Sequence, residues 1–213
     1  MFVTTGPDIW TETRRGNFDG VVRLLDDGAD PNELGGYPCF CPPLDLAVYY
    51  GNNEMVNLLL ENRADVEKRN SHGKTPLHVS LFRVQREITR MLLDYGADIE
   101  SKDNIGKTVL YTAAQSCPAN CLQYLIANGA DVNTICTRDG STPLMAALGI
   151  LPGTAGDPDI IRILLDSNAN IFIRNHRGET AEELAYTLQP GTMFEQLREE
   201  RERIQQICSF NRG

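Results

Sequence analysis

The sequence lacks the features that define several protein classes. No apolar stretch in its 213 residues approaches the ~20 residues that a membrane-spanning helix needs. The amino terminus has neither the basic start nor the apolar core of a signal peptide, and the carboxyl end carries no lipidation signal. The longest basic run is Arg14-Arg15, in a chain with 20 Lys+Arg, 29 Asp+Glu and a net charge of −9. We therefore expect neither a membrane nor a nucleic acid as partner.

Signatures of catalysis and metal binding are also missing from the sequence. It has no glycine-rich phosphate loop, no His-Glu-x-x-His helix, and no paired Cys-x-x-Cys knuckles among its six cysteines. The three histidines all belong to repeated motifs or turns, which leaves none beside Ser or Cys as a general base. We expect no enzymatic activity, no small-molecule substrate, no cofactor and no metal, and we interpret the cysteines as reduced thiols.

The sequence does contain an internal repeat. The segment LDDGAD that begins at Leu25 recurs with substitutions from Leu60, Leu93, Ile126 and Leu165, at offsets of 35, 33, 33 and 39. A second motif keeps the same register, because TPLH at 75–78 is matched at 42–45, 108–111, 142–145 and 180–183. Two markers in one register across five repeats indicate a tandem array.

Each repeat predicts two short helices joined by a turn. Thr before Pro is a helix N-cap followed by Pro at the first helical position, where no backbone N–H is needed. In the second repeat, Gly51 ends the first helix, and 53–60 has the apolar spacing of another. Gly28, Gly96 and Gly129 stand where a helix C-cap needs a left-handed conformation.

The period near 33, the turns, the Thr75-Pro76-Leu77-His78 motif and the Gly-Ala-Asp segments together resemble the ankyrin repeat. The resemblance covers essentially the whole chain and implies an all-α ankyrin-repeat solenoid of six helix-turn-helix units, with short β-hairpin or turn fingers between repeats. It also implies that His78 hydrogen-bonds within its own turn. The expected repeats are 1–36 (an amino-terminal cap), 37–69, 70–102, 103–136, 137–174 and 175–213 (a carboxyl-terminal cap with a long helix). The offset of 39 predicts an insertion at 149–156, between the helices of the fifth repeat.

An ankyrin array implies non-enzymatic binding of a protein or peptide on the concave face that the fingers and first helices form. Placing the sequence in that register assigns to this face Phe40, Tyr49, Tyr50, Lys74, Phe82, Arg83, Ile105, Lys107, Arg138 and Arg177. Aromatic residues and arginine are common at binding hot spots, and the basic members favour an acidic segment. Tyr49 and Phe82 have the alternative of packing between repeats as core.

Three further features each leave more than one interpretation open. Asn133, with Leu125 eight residues before it and Asp131 two before, is similar to asparagines that an asparaginyl hydroxylase modifies in other ankyrin proteins; alternatively, it only hydrogen-bonds across its turn. The helix expected in 193–210, with Met193, Leu197, Ile204 and Ile207 on one side, is a solvated cap, a partner-docking helix or a self-pairing helix. The loop at 149–156 is passive or part of a binding site.

The function itself has alternatives to a simple binding module. One is a substrate-recruiting adaptor subunit of a ubiquitin ligase or similar complex, and another is an inhibitor or chaperone that masks an enzyme or transcription factor. A purely structural scaffold is the third. We expect a monomer in the cytoplasm or nucleus.

Overall fold

A computed structural model of the chain describes residues 8–35, 40–82, 85–149, 156–188 and 191–210, with the backbone alone described for the helical residues 82, 188 and 207–210. These residues form twelve helices and no strand, so the prediction of an all-α fold is confirmed. The chain divides into two compact halves, Met1–Asn104 and Ile105–Gly213.

The amino-terminal half contains three pairs of helices. In each pair the two helices pack together, the first helices pack side by side along the half, and α4 packs on α6. The apolar faces of these helices supply the core, in which Val48, Met55, Leu77 and Leu92 are fully buried. The helices are α1 (Ile9–Arg15), α2 (Phe18–Asp26), α3 (Pro43–Tyr50), α4 (Asn53–Glu61), α5 (Pro76–Phe82) and α6 (Arg86–Asp94).

The carboxyl-terminal half repeats the arrangement. Its first helices pack as α7 on α9 and α9 on α11, and its second helices pack as α8 on α10 and α10 on α12. The bounds are α7 (Val109–Ser116), α8 (Ala119–Ala127), α9 (Pro143–Ala147), α10 (Pro158–Asp166), α11 (Ala181–Leu188) and α12 (Thr192–Phe210). In the part of the chain that the structure describes, no helix is both long and apolar enough to cross a membrane.

The helix ends follow the repeated motifs. Thr142 caps α9 by accepting a hydrogen bond from the backbone of Met145 at 3.3 Å, as the Thr-Pro pattern predicts. The predicted left-handed conformation at Gly28, Gly96 and Gly129 is confirmed. The same position of the LDDGAD segment also has positive φ where it is not glycine, at Arg63 (φ 67°) and Asn168 (φ 65°).

Side-chain amides join successive helix pairs. Asn133 Oδ1 accepts a hydrogen bond from the backbone N–H of Asn170 at 2.6 Å, and Asn133 Nδ2 donates to the carbonyl of Asn168 at 3.3 Å. The expected hydrogen bonding of Asn133 is thus present, but its side-chain bonds reach residues 35 and 37 positions away and do not cross its own turn. In the amino-terminal half the same pair of bonds joins Asn32 to Asp65 and Arg63.

The fingers between helix pairs are turns, which is the second of the two predicted forms. Three of them are closed by a backbone hydrogen bond, from Asn70 to Lys74 at 3.0 Å, from Cys136 to Ser141 at 2.9 Å and from Asn175 to Glu179 at 3.0 Å. A glycine with positive φ, such as Gly73 at 70°, turns the finger back. The fingers are too short to extend these bonds into a ladder, and no strand is found over the described ranges.

The predicted insertion and the two caps are partly described. The insertion follows Gly149, which has φ 72°, and its residues 150–155 lie outside the described residues. In α12, Met193 and Leu197 are buried on the side predicted to be apolar. Ile204 is half-buried, and the side chain of Ile207 lies outside the described residues.

Candidate functional site

The predicted site residues of the amino-terminal half lie on a finger and at the end of a first helix. Phe40 is 51% exposed, and its φ of 38° is unusual for a bulky residue. At the end of α3, Tyr49 and Tyr50 are 40% and 57% exposed, with their ring centroids 5.4 Å apart in an edge-to-face arrangement. Lys74 is half-buried on the following finger. The side chain of Phe82 and all of Arg83 lie outside the described residues.

Two of the predicted site residues of the carboxyl-terminal half make intramolecular contacts through their charged groups. Lys107 Nζ donates to Gln115 Oε1 at 2.9 Å and lies 5.1 Å from the ring centroid of Tyr111. Arg177 forms an ion pair with Glu179 at 3.0 Å, although its side chain is 71% exposed. The remaining members of this set, Ile105 and Arg138, are exposed.

An acidic residue reduces the positive charge of these fingers. Burial acts to raise the pKa of Asp139, but hydrogen bonds from the Ser141 backbone and the Cys136 thiol, with the charge of Lys107, hold that pKa below its usual range. Asp139 is therefore a carboxylate at neutral pH. The basic character expected from Lys107, Arg138 and Arg177 is thus weaker than their number suggests.

The carboxyl group of Asp45 is buried at the start of α3, and Asp45 was not a predicted site residue. The next repeat has Thr75 and His78 in the same motif, and both are fully buried. There, His78 Nδ1 lies 2.9 Å from the Thr75 hydroxyl and accepts a hydrogen bond from the Thr75 backbone N–H at 3.4 Å. The predicted role of His78 within its turn is confirmed. The equivalent positions of the second repeat are Pro42 and Asp45.

Proline changes which partner is available at this position. Pro42 has neither a backbone N–H nor a hydroxyl, so a side chain at 45 cannot make the bonds that His78 makes. Asp45 is buried and instead accepts from Asn70 Nδ2, at 3.5 and 3.4 Å from its two oxygens. Burial raises the pKa of Asp45 to about 6, opposed by that bond and by the charges of His72 and Lys74. The substitution of His by Asp in the motif was the signal that could have identified it.

Two arginines at the end of the helix that packs on α3 were not predicted as site residues. Helix α1 packs beside α3. Arg14 and Arg15 are the last two residues of α1, as Tyr49 and Tyr50 are of α3, and both arginine side chains are exposed. The Arg14 guanidinium lies 5.6 Å from the ring centroid of Trp10. The sequence signal for these arginines is their position directly before Gly16, which matches the position of Tyr49 and Tyr50 before Gly51.

Four cysteines are described, and all four are buried thiols: Cys41, Cys117, Cys121 and Cys136. A hydrogen bond between the Cys117 and Cys121 thiols, together with burial, raises the pKa of Cys117. Cys39 and the side chain of Cys208 lie outside the described residues. Within the described ranges, no three His, Cys, Asp or Glu side chains are grouped so as to hold a metal ion.

A cavity of about 660 Å³ lies beside α12. Phe172, Tyr186 and Phe194 contribute aromatic walls, and the rings of Tyr186 and Phe194 are 5.5 Å apart. Two ion pairs line the same cavity, Arg174–Glu183 at 3.0 Å and Arg201–Glu182 at 3.1 Å. Because these charges are balanced, the cavity does not select a partner by charge.

Comparisons with known proteins agree with the repeated pattern. A sequence model of the family described as ankyrin repeats (3 copies) matches residues 11–103 and 100–175, well over half of the chain. A similar curated protein is an ankyrin repeat-containing protein of Schizosaccharomyces pombe, 37% identical over 78 residues. That alignment spans 36% of this chain and 36% of the yeast protein, so the chain covers well under two thirds of its relative.

Proposed function

The chain belongs to the ankyrin-repeat family, and we propose that it is a protein-binding module that works without catalysis. Ankyrin repeats are generally protein–protein interaction modules. The observation that carries the proposal is the exposure of three large aromatic side chains, Phe40, Tyr49 and Tyr50, on a finger and a first helix of one half. Aromatic rings exposed on a rigid scaffold supply contact area at low entropic cost and are enriched at hot spots.

We propose that each half binds through its own fingers and first helices. In the amino-terminal half the contributing residues are Phe40, Tyr49, Tyr50 and Lys74, with Phe82 and Arg83 as further sequence-based candidates. In the carboxyl-terminal half they are Ile105, Lys107, Arg138 and Arg177. We further propose the six repeats 1–36, 37–69, 70–102, 103–136, 137–174 and 175–213 as the structural units, with the partner a protein or peptide and the chain itself a monomer of the cytoplasm or nucleus.

Two more specific roles are alternative proposals: a recruiting adaptor, and an inhibitor or chaperone. A substrate-recruiting adaptor of a ubiquitin ligase or similar complex needs two partners bound at once. An inhibitor or chaperone needs one enzyme or transcription factor bound and silenced. Reconstitution with the identified partner separates them, because a ternary complex supports the adaptor and loss of the partner's activity supports the inhibitor.

Asn133 remains a predicted hydroxylation site. Both ends of its amide are engaged with Asn168 and Asn170, so a hydroxylase would act on a locally opened repeat. Mass spectrometry of the chain purified from its natural source tests this, since modification adds one oxygen to the peptide that contains Asn133.

The test of the proposed function compares binding partners of matched variants. Affinity purification with mass spectrometry would use the intact chain, a Tyr49→Ala/Tyr50→Ala variant and a Tyr95→Ala control, each first shown to fold by circular dichroism. Tyr95 is an exposed tyrosine of the same half, at the end of the second helix α6. Loss of a specific partner from the first variant alone supports the proposal. Equal recovery by all three would place binding elsewhere on the chain.

A further inference from the structure

We infer that the carboxyl ends of α1 and α3 form one recognition surface for a protein segment that carries a carboxylate next to an aromatic or aliphatic side chain. This surface, the α1–α3 patch, consists of Arg14, Arg15, Tyr49 and Tyr50. The inference rests on the proposed function, because it specifies the partner that the amino-terminal half binds.

The two helix ends present their exposed residues in the same way. Gly16 and Gly51 follow α1 and α3 with nearly identical conformations, at φ 69° and 71°. Each glycine bonds back to its own helix, and so does the asparagine that follows it. The arginine pair of α1 and the tyrosine pair of α3 therefore occupy equivalent positions on adjacent helices. Packed helices lie about 8–10 Å apart, a distance that about three residues of an extended peptide span.

Arg14 provides the available positive charge of the patch, whereas Arg15 is paired with Glu12. Arg15 donates to Glu12 at 2.7 Å, and the other Glu12 oxygen accepts from Asn17 at 2.5 Å. Glu12 is almost fully buried, so both bonds that it accepts lie beneath the surface. Arg14 is exposed, and no ion pair to it is found among the described residues. Its proximity to the Trp10 ring is a cation–π contact, which holds the guanidinium in place and leaves its N–H groups able to bind a carboxylate.

The tyrosines of the patch provide the apolar contact. Their edge-to-face contact fixes the two rings relative to each other. Because they remain exposed, a partner's aromatic or aliphatic side chain can bury ring surface that the chain itself leaves in water. Tyrosine and arginine are the residue types on which binding energy concentrates.

Charge decides which partner fits. The whole chain has a net charge of −9, so an acidic protein is repelled by most of its surface and attracted where cations are exposed. In the carboxyl-terminal half Lys107 is bonded to Gln115 and Arg177 is paired with Glu179. The Arg14 guanidinium has no ion pair in the described part of the chain and lies 5.6 Å from the Trp10 ring centroid. Because the α1–α3 patch combines this cation with two exposed tyrosines, we assign acidic recognition to it.

The experiment is a selection of peptides from a random-sequence display library by the full chain. Parallel selections use Arg14→Glu, Arg14→Lys and Tyr50→Ala, with Arg90→Glu and Tyr95→Ala as controls. The Arg90 control makes the same change in net charge on an exposed arginine of the second helix α6. Selected peptides are sequenced, and the affinity of the most enriched peptide is measured by fluorescence anisotropy at low and high salt.

The expected result is enrichment of Asp or Glu next to an aromatic or aliphatic residue. We expect Arg14→Glu to lower the affinity for the enriched peptide about tenfold at low salt and by a smaller factor at high salt. Tyr50→Ala should lower this affinity at both salt concentrations, and Arg14→Lys should retain part of it. The two controls should bind as the natural chain does.

Two outcomes would overturn the inference in different ways. Peptides without acidic enrichment, or acidic peptides that Arg14→Glu and Arg90→Glu bind equally well, would reject the α1–α3 patch as an acidic site while leaving the proposed binding function in place. If no peptide is enriched and the affinity purification also yields no partner that depends on Tyr49 and Tyr50, both the inference and the proposed function fail.

Discussion

Replacing Asp45 by Asn tests the account of the altered motif at the start of α3. Asp45 is a buried carboxyl whose described hydrogen bonds come from one amide, Asn70 Nδ2, at 3.4 to 3.5 Å. An asparagine at 45 can still accept from Asn70, and it has no charge to bury. We expect Asp45→Asn to stabilise the chain at neutral pH, against the usual direction for a buried polar substitution.

The size and pH range of the effect follow from the pKa. Burial raises the pKa of Asp45 from its ordinary value of 3.8 to about 6 in the folded chain. Since the folded state binds the proton more tightly than the unfolded state, the free energy of unfolding falls as pH rises through this interval. The difference corresponds to a penalty of up to about 3 kcal/mol that is complete above pH ~6 and absent below pH ~4. The asparagine variant avoids that penalty.

The assay is urea unfolding of the natural chain and of Asp45→Asn, at a pH well above 6 and again near 4. We expect the variant to be more stable by about 1–3 kcal/mol at the higher pH and nearly equal near pH 4. Other carboxyl groups titrate in both proteins and cancel in the difference. The control Asp19→Asn, an exposed residue of α2, should change little at either pH. An Asp45→Asn variant with the same difference at both pH values, or less stable at high pH, would refute the reasoning.

Three further predictions concern stability and thiol chemistry. Arg63→Gly should raise the free energy of unfolding by about 1 kcal/mol, because φ 67° strains a residue that has a side chain. Gly96→Ala places a side chain at the equivalent position and should lower the free energy of unfolding by a similar amount. Urea unfolding measures both changes, and a destabilised Arg63→Gly variant would contradict this reasoning. Asn133→Ala removes both amide bonds to the next helix pair and should cost about 1–2 kcal/mol, seen as a lower thermal midpoint. Cys117 and Cys121 are buried, with a raised pKa at Cys117, so they should be alkylated only after denaturant is added; fast labelling in buffer, located by mass spectrometry, would be inconsistent with this.

The helices and their ends were predictable because the repeat fixes them through local chemistry. The apolar spacing at 53–60 predicted α4, which extends over Asn53–Glu61. The left-handed glycines and the role of His78 depend on contacts within a few residues, so one repeat's sequence contains the whole cause. The same logic identified the finger positions of Phe40 and Ile105, although it left open whether each finger is a hairpin or a turn.

The environment of Asp45 could not be derived in this way. Its burial depends on how α3 packs beside α5, and its bond from Asn70 joins residues 25 positions apart. The motif shows that Pro42 and Asp45 differ from Thr75 and His78, but not that the carboxyl group is excluded from water. A pKa is set by three-dimensional surroundings, which sequence spacing does not supply.

The charge of the candidate surface shows the same limit most clearly. Counting Lys107, Arg138 and Arg177 along the sequence gives a basic set, yet two of these side chains are engaged by neighbours within their own half. Arg14 lies within the predicted amino-terminal cap and was not a predicted site residue, yet it contacts the Trp10 ring on a helix that packs on the one bearing the exposed tyrosine pair. The repeat motif constrains side chains that face the core and leaves exposed positions free to vary. Binding specificity therefore depends on residues that the fold does not dictate. Their neighbours in space decide which of their charges remain available to a partner.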